Sequence, residues 1–387
     1  MEYIPRTAEE IFSKMLLSSK VVIVLGARQV GKTTLVQRTL KDKKALFLNL
    51  DIESDKQRFL AAATLSPREA ILSLKNPEVL VIDEAQRLSE TGRIIKGWYD
   101  AKVPTKMVLL GSSSLNLLDQ SAESLTGRNV KLFLTPLFFR EILSVQPWYS
   151  ETFTADQLQK QFSDQIKTIL LQTMIFGSYP EAVTTVDKQQ YLKNLVADYL
   201  LKDVLQIGLV KSPDMIRKLL LLLAHQAGSV VSINELANNL AISRKTVERY
   251  LNLLEQTFVV FRLSSFSTNP RKEIAKSSKI FFWDTGIRNA LLNEFNVSPL
   301  RSDIGKLWEN WVVAEFAKQN LQEGSPKNLY FWRSRAGSEI DLVTKEGEET
   351  RAYEIKWSGK KAATRAFSEH YKIKVKVIDS SRPLVEL

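Results

Sequence analysis

VVIVLGARQVGKTTLV, residues 21–36, carries an apolar run into a glycine-bounded loop and out again into a polar, helix-compatible segment. It reads as a buried strand, a phosphate loop and the start of a helix. Gly26, Ala27, Arg28, Gln29, Val30, Gly31, Lys32 and Thr33 satisfy G-x-x-x-x-G-K-[ST] at every fixed position, in the strand-then-helix setting that the chemistry requires. The two glycines let the backbone turn tightly around a phosphate. Amides of the loop and of the helix start, through Thr34, then face the anion, while Lys32 reaches the terminal phosphates and the Thr33 hydroxyl holds Mg²⁺. ATP and Mg²⁺ are the cofactors this predicts. A glycine turn with no ligand is the bland alternative.

The chain has 387 residues, enough for two to four domains at about 100 to 200 residues each. Its longest apolar stretch, residues 219–224, is far shorter than the roughly 18 residues a membrane span needs, so no membrane partner is expected. There is no cysteine, which excludes disulfides, cysteine zinc sites, iron–sulfur clusters and thiol nucleophiles. The start, MEYIPRTAEEIFSKMLL, lacks a signal peptide's basic head and apolar centre, and a cytoplasmic location fits both facts. With only His225 and His370, both read as ordinary structural or surface residues, a histidine metal site or a serine–histidine relay is not expected. Lys and Arg number 54 against 43 Asp and Glu, a formal charge of +11 that favours a polyanionic partner, DNA first.

Val79, Leu80, Val81 and Ile82 run into Asp83 and Glu84, the Walker B arrangement of a buried strand ending in two carboxylates. Asp83 is expected to hold Mg²⁺ and Glu84 to polarise the attacking water, although either residue alone also suits a helix cap. A third strand at 106–110 leads to Ser112 and Ser113, either of which suits a contact to the γ-phosphate or the water, or simply a helix-capping turn. Arg128 follows Gly127 in a position suited to reaching a phosphate across a subunit boundary, which would place ATP between subunits of an oligomer.

GARQVGKTTL, VLVIDEAQ, LLGSSS, SLTGR, LTPLFFREIL and GSYPEAV occur in this order. Together they resemble the bacterial and archaeal AAA+ ATPases that carry a restriction-endonuclease-like C-terminal domain of unassigned function. The resemblance spans about residues 6–356 and implies a P-loop ATPase with a tendency to form rings.

From 156 to 209 the apolar spacing is helical, as in an AAA+ lid. Residues 232–251 then read as helix-turn-helix: Ser232 and Glu235 stand at capping-box spacing, and Ser243 opens a second helix that exposes Arg244, Lys245 and Arg249. With 258–263 as wing strand this predicts a winged helix that contacts DNA or, as such modules also do, protein. A basic boundary at 269–272 precedes a new strand from Lys279. Asp341 and the Glu354-x-Lys356 pair, on strands that follow a helix bearing Glu309, match the PD-(D/E)xK endonuclease pattern. Residues i and i+2 of a strand share a face, so Glu354 and Lys356 project together; Asp341, Glu354 and Glu309 would bind Mg²⁺. An exposed charge pair is the alternative, and Trp332 and Trp357 suit the core better than base stacking.

The expected fold is therefore α/β. It comprises an AAA+-like parallel sheet (1–150), a helical lid region (151–210), a winged helix (211–268) and an endonuclease-like domain (269–387). The expected activity is ATP hydrolysis coupled to DNA remodelling by an oligomer. Two alternatives are an ATP-dependent switch for a C-terminal nuclease and a nucleotide-gated DNA- or protein-binding regulator.

Overall fold

The computed structural model describes residues 3–112, 125–200, 213–267, 278–324, 327–334, 336–359 and 365–384. Ser113 and the basic segment 269–272 therefore lie outside the described residues. The chain divides into two compact units, one of residues 5–135 with 256–258, the other of 1–4, 136–255 and 259–387.

The first unit is built on a five-stranded sheet. Its strands β1 (Val21–Leu25), β2 (Ala45–Asn49), β3 (Val79–Asp83), β4 (Lys106–Gly111) and β5 (Asn129–Phe133) lie in the order β2-β3-β4-β1-β5. Every pairing is parallel. A parallel sheet is covered on both faces, which is why β1 and β3 are near-continuous runs of valine, isoleucine and leucine, and both are buried throughout. Phe59 and Trp98, 5.6 Å apart edge to face, pack with Ile23, Leu80 and Leu109 in the core. The register sets Leu25 beside Gly111 and Ile82 beside Leu109, so the chain leaves β1, β3 and β4 at one carboxyl edge. Gly26, Asp83–Glu84 and Ser112 meet there.

The second unit holds a seven-stranded mixed sheet in the order β12-β11-β10-β9-β7-β8-β6. The strands are β6 (Val230–Val231), β7 (Val260–Ser265), β8 (Ser278–Phe282), β9 (Asn328–Arg333), β10 (Glu339–Glu346), β11 (Glu349–Lys356) and β12 (Val375–Asp379). Helices Pro213–His225, Ile233–Leu240 and Arg244–Gln256 interleave with β6, β7 and β8 in an α-β-α-α-β-β order. Helix Ile304–Glu323, strands β9 to β11, helix Arg365–Tyr371 and β12 follow as α-β-β-β-α-β.

The boundaries expected at 150/151, 210/211 and 268/269 do not coincide with those of the compact units. The last falls inside an antiparallel pair: β8 bonds to β7 from Val260↔Phe282 to Ser264↔Ser278, and the ladder continues from β7 into β9. The strand expected to open a new domain instead completes the sheet edge begun by β6 and β7. The helical region expected as a lid likewise packs into this unit, because Ile166, Leu170 and Met174 of helix Ser163–Phe176 share a core with Trp308, Trp311 and Phe331. A buried polar network reinforces that assignment. Asp284 accepts from Ser178 N at 2.6 Å and Ser178 Oγ at 3.1 Å, and Lys318 Nζ donates to Ser178 Oγ at 2.9 Å and Glu315 Oε1 at 2.8 Å. Gly177, at φ +74°, is required here, since a Cβ would fall 2.0 Å from Asp284 Oδ1. Trp332 is buried as core, edge-on to Phe367 at 5.2 Å, and the half-buried Trp357 packs against the core around Trp308, edge-on to that ring at 6.0 Å. No helix among the described residues is long and apolar enough to cross a membrane.

Candidate functional site

The phosphate loop is shaped by Gly31, whose left-handed φ of +94° no β-carbon tolerates well, and the helix Lys32–Thr39 starts directly after it. Lys32 is buried and its Nζ donates to Gly26 O at 3.0 Å and Ala27 O at 2.9 Å, so the ammonium lies across the loop's own carbonyls. Thr33 Oγ1 donates to Asp83 Oδ2 at 2.7 Å. The hydroxyl and carboxylate that would share a magnesium ion are thus already side by side. Gly26, Ala27 and Val30 are buried, Arg28 and Thr33 half-buried, and Gln29 and Thr34 exposed. Arg6 clamps the loop from behind, with one guanidinium nitrogen on Val30 O at 2.9 Å and another on Thr135 O at 2.6 Å.

Beyond Asp83 the backbone is strained. Glu84 adopts φ +50°, a left-handed conformation that costs a non-glycine residue about 1 kcal/mol or more and clusters at functional sites. That kink turns the Glu84 carboxylate towards Gln86, whose Nε2 hydrogen-bonds Glu84 Oε2 and also Ser112 Oγ, the latter at 3.0 Å. An ionised carboxylate only accepts, so the amide nitrogen must face it. Gln86 Oε1 is buried with no hydrogen-bond partner among the described residues. Arg128 stands apart from this edge. Its carbonyl accepts from Val21 N at 2.9 Å, at the amino end of β1, and its guanidinium pairs with Asp100 at 2.7 Å. The hydrogen bond to Asp100 raises the already high pKa of Arg128, so the group is a fixed cation.

A second cluster lies in the other unit. Asp341 on β10 and Glu354 and Lys356 on β11 are brought together by the β10–β11 ladder, and a register shift between Ile340 and Val343 brackets Asp341. Bulges of this kind re-aim a side chain. Lys356 Nζ lies 2.7 Å from Glu354 Oε1 and 3.8 Å from Asp341 Oδ2, and Ile355 N donates to Asp341 Oδ2 at 2.8 Å. Glu309, from helix Ile304–Glu323, joins them, and so do two residues not expected from sequence: Glu339 on β10 and Lys279 on β8. Burial pushes the Glu309 carboxyl up to about 7, helped by Asp341 and Glu339 and opposed by Lys279. Burial and Asp341 likewise raise Glu354, against the pull of Lys356. In the α-β-α-α-β-β segment, Arg262 on β7 donates to Glu255 Oε2 at 2.8 Å and Glu248 Oε2 at 3.0 Å. The acids of helix Arg244–Gln256 are thereby paired while Arg244, Lys245 and Arg249 stay exposed, Arg249 over the Tyr250 ring at 5.5 Å.

Residues 18–143 match the family model of the AAA domain. They form an AAA-type P-loop ATPase domain. A Walker-type ATPase of Pyrococcus abyssi has a similar fold, with a TM-score of 0.52 at 16% identity over 75% of this chain and 96% of that one. Residues 167–298 and 304–384 match two further models, both described as domains of unknown function. An uncharacterized protein of Mycobacterium tuberculosis is 28% identical over 367 residues, 93% of this chain and 76% of its own length. Another, of Methanocaldococcus jannaschii, is 28% identical over 376 residues, 92% of this chain and 80% of its own.

Within the ATPase domain, Lys32, Thr33, Asp83, Glu84 and Ser112 come together at one sheet edge, whereas Arg128 does not. Sequence reasoning passed over Arg6 and Gln86. Gln86 had a local signal, since it lies two residues beyond the carboxylate pair in DEAQ; Arg6, 24 residues before Val30, had none.

Proposed function

We propose that the protein is an oligomeric AAA+-type ATPase that couples ATP hydrolysis to the remodelling of DNA. The hydrogen bond between Thr33 and Asp83, beside a lysine poised over the loop, carries the ATP half of the reading. Thr33 and Asp83 fit a Mg²⁺ ion, which supplies charge neutralisation on the β- and γ-phosphate oxygens. Lys32 takes the terminal phosphates, exchanging the carbonyls of Gly26 and Ala27 for phosphate oxygens of higher charge. Glu84 accepts the proton of the attacking water. Gln86 positions it: one amide nitrogen ties Glu84 to Ser112, so the base and the group at the tip of β4 move as a unit, and the free Oε1 faces an acceptor's task that a water hydrogen would fill.

Arg128 acts on a neighbouring subunit. It borders the amino end of β1, and strand residues advance about 3.3 Å each, so the five residues of β1 separate it from its own phosphate loop by about 16 Å. The exposed Arg244, Lys245 and Arg249 carry the DNA half. They lie on the second helix of a helix-turn-helix pair whose caps are formed, Ser232 Oγ accepting from Glu235 N at 3.3 Å and Ser243 Oγ from Thr246 N at 3.1 Å. The α-β-α-α-β-β order of the described elements between Pro213 and Phe282 supports reading this segment as a winged helix. Duplex binding should weaken steeply with salt, and replacing all three cations by alanine should lower the slope of log K against log salt by about 0.9 for each phosphate that is no longer neutralised. A slope unchanged by the triple substitution would remove this helix from the interface.

A second reading, in which nucleotide state governs a C-terminal nuclease, is favoured by one atom. Glu354 Oε2 is buried with no hydrogen-bond partner among the described residues, in a residue only 6% exposed. An orphaned carboxylate oxygen beside Asp341 fits a divalent cation, whose chemistry would be to polarise a phosphodiester and lower the pKa of bound water. Asp341 and Glu354 would hold it, with Lys356 placed to balance charge on the phosphate.

A further inference from the structure

Lys279 is the least expected member of the C-terminal cluster. It arises on β8, three strands away from β10, and reaches the acids with its ammonium fully withdrawn from solvent at 2% exposure. Nζ lies 2.7 Å from Glu309 Oε1 and 2.5 Å from Glu339 Oε1, and 5.6 Å from the centroid of the Phe331 ring. Ligand oxygens of Glu309, Glu339 and Asp341 all fall within 4.8 Å of one another, a spacing that suits a cation. A cation is already there, but it is covalently part of the protein.

We propose that this site takes one divalent cation rather than two, and that the Lys279 ammonium permanently holds the place beside Glu309 and Glu339 where a second ion would bind. The inference rests on reading the cluster as a divalent-cation site. Lys279 faces Glu309 and Glu339, and the exposed Arg333 lies 3.8 Å from Glu339, whereas Asp341 and Glu354 share the single ammonium of Lys356, so the negative charge left for a divalent ion to balance lies on the Asp341 side. The orphaned Oε2 of Glu354 marks where that ion goes, on the Asp341 side. Glu309 and Glu339 already face Lys279 and are not free to serve it. A second ion would have to drive a buried, doubly bridged ammonium out of its partners into apolar surroundings, leaving an uncompensated buried charge. Two-metal phosphoryl-transfer sites set their ions about 3.5–4 Å apart to clamp both oxygens of the displacement. Here one arm of that clamp is a fixed charge with no open coordination position.

The test is a count of Mn²⁺ bound to nucleotide-free protein carrying Asp83→Asn, which removes from the tally the β3 carboxylate beside the phosphate loop. One ion per chain is expected with Lys279 present. Lys279→Met should bind two, and Lys279→Met with Glu339→Gln should return to one. Glu309→Gln gives a check that keeps the ammonium: the count at saturating Mn²⁺ stays at one if Glu309 serves Lys279, with affinity lowered only by the lost charge, and drops to none if Glu309 is a ligand. Two ions on the Lys279 protein, a folded Lys279→Met that still binds one, or loss of the ion in Glu309→Gln would each overturn the proposal. No ion on the Lys279 protein would instead remove the cation-site reading on which it rests.

Discussion

Glu84→Gln should bind ATP as the wild type does and hydrolyse it between about 10² and 10⁴ times more slowly, the usual contribution of a general base. The substitution keeps the side chain's size and its left-handed backbone, so the loop, Lys32 and the Thr33–Asp83 pair are undisturbed. Only the acceptor of the water's proton is lost. Two measurements separate the steps: nucleotide affinity from equilibrium binding, and kcat from steady-state phosphate release. Turnover at the wild-type rate would reduce Glu84 to a hydrogen-bond partner of Gln86 and leave the attacking water without its base.

Arg128→Ala should be as severe, but only in the assembled state. An arginine supplied across a subunit boundary is worth about 10³ to 10⁵ in kcat, and nucleotide binding to the isolated chain should be unaffected. Asp100 holds the guanidinium at 2.7 Å in the single chain, an exposed pair that contributes little to stability and is readily exchanged for a phosphate. Mixing gives the decisive readout. Arg128→Ala subunits added to Lys32→Ala subunits should recover activity, since one supplies the intact phosphate loop and the other the intact arginine. No recovery, together with a specific activity independent of protein concentration, would place Arg128 among ordinary solvated arginines.

The ATPase edge was legible because its parts are local or follow strand ends. Spacing alone defines the loop from Gly26 to Thr33, and an apolar strand capped by Asp83 and Glu84 must emerge at the same edge of a parallel sheet. Gln86 was not singled out, because nothing in a glutamine's neighbours says that one amide nitrogen will tie Glu84 to Ser112, 26 residues away. The C-terminal cluster shows the same division. Glu354 and Lys356 share a face by strand periodicity, but Lys279 meets Glu309, 30 residues on, and Glu339 only after the sheet has assembled from β8 to β10. Periodicity also identifies a strand without naming its sheet. Hence β8 read as the opening of a new domain, when its partners are β7 and β6. The helices of 155–176 read as part of a separate lid for a like reason: their apolar spacing is visible, but the tryptophans of helix Ile304–Glu323 that share their core are more than a hundred residues further along the chain.

Steady-state ATP hydrolysis measured with and without single-stranded, duplex and branched DNA tests the central proposal most directly. A DNA-remodelling ATPase should be stimulated by at least one of these forms, and the stimulation should vanish in the Arg244→Ala, Lys245→Ala, Arg249→Ala protein while its basal rate persists. A basal rate indifferent to every form of DNA would contradict the account.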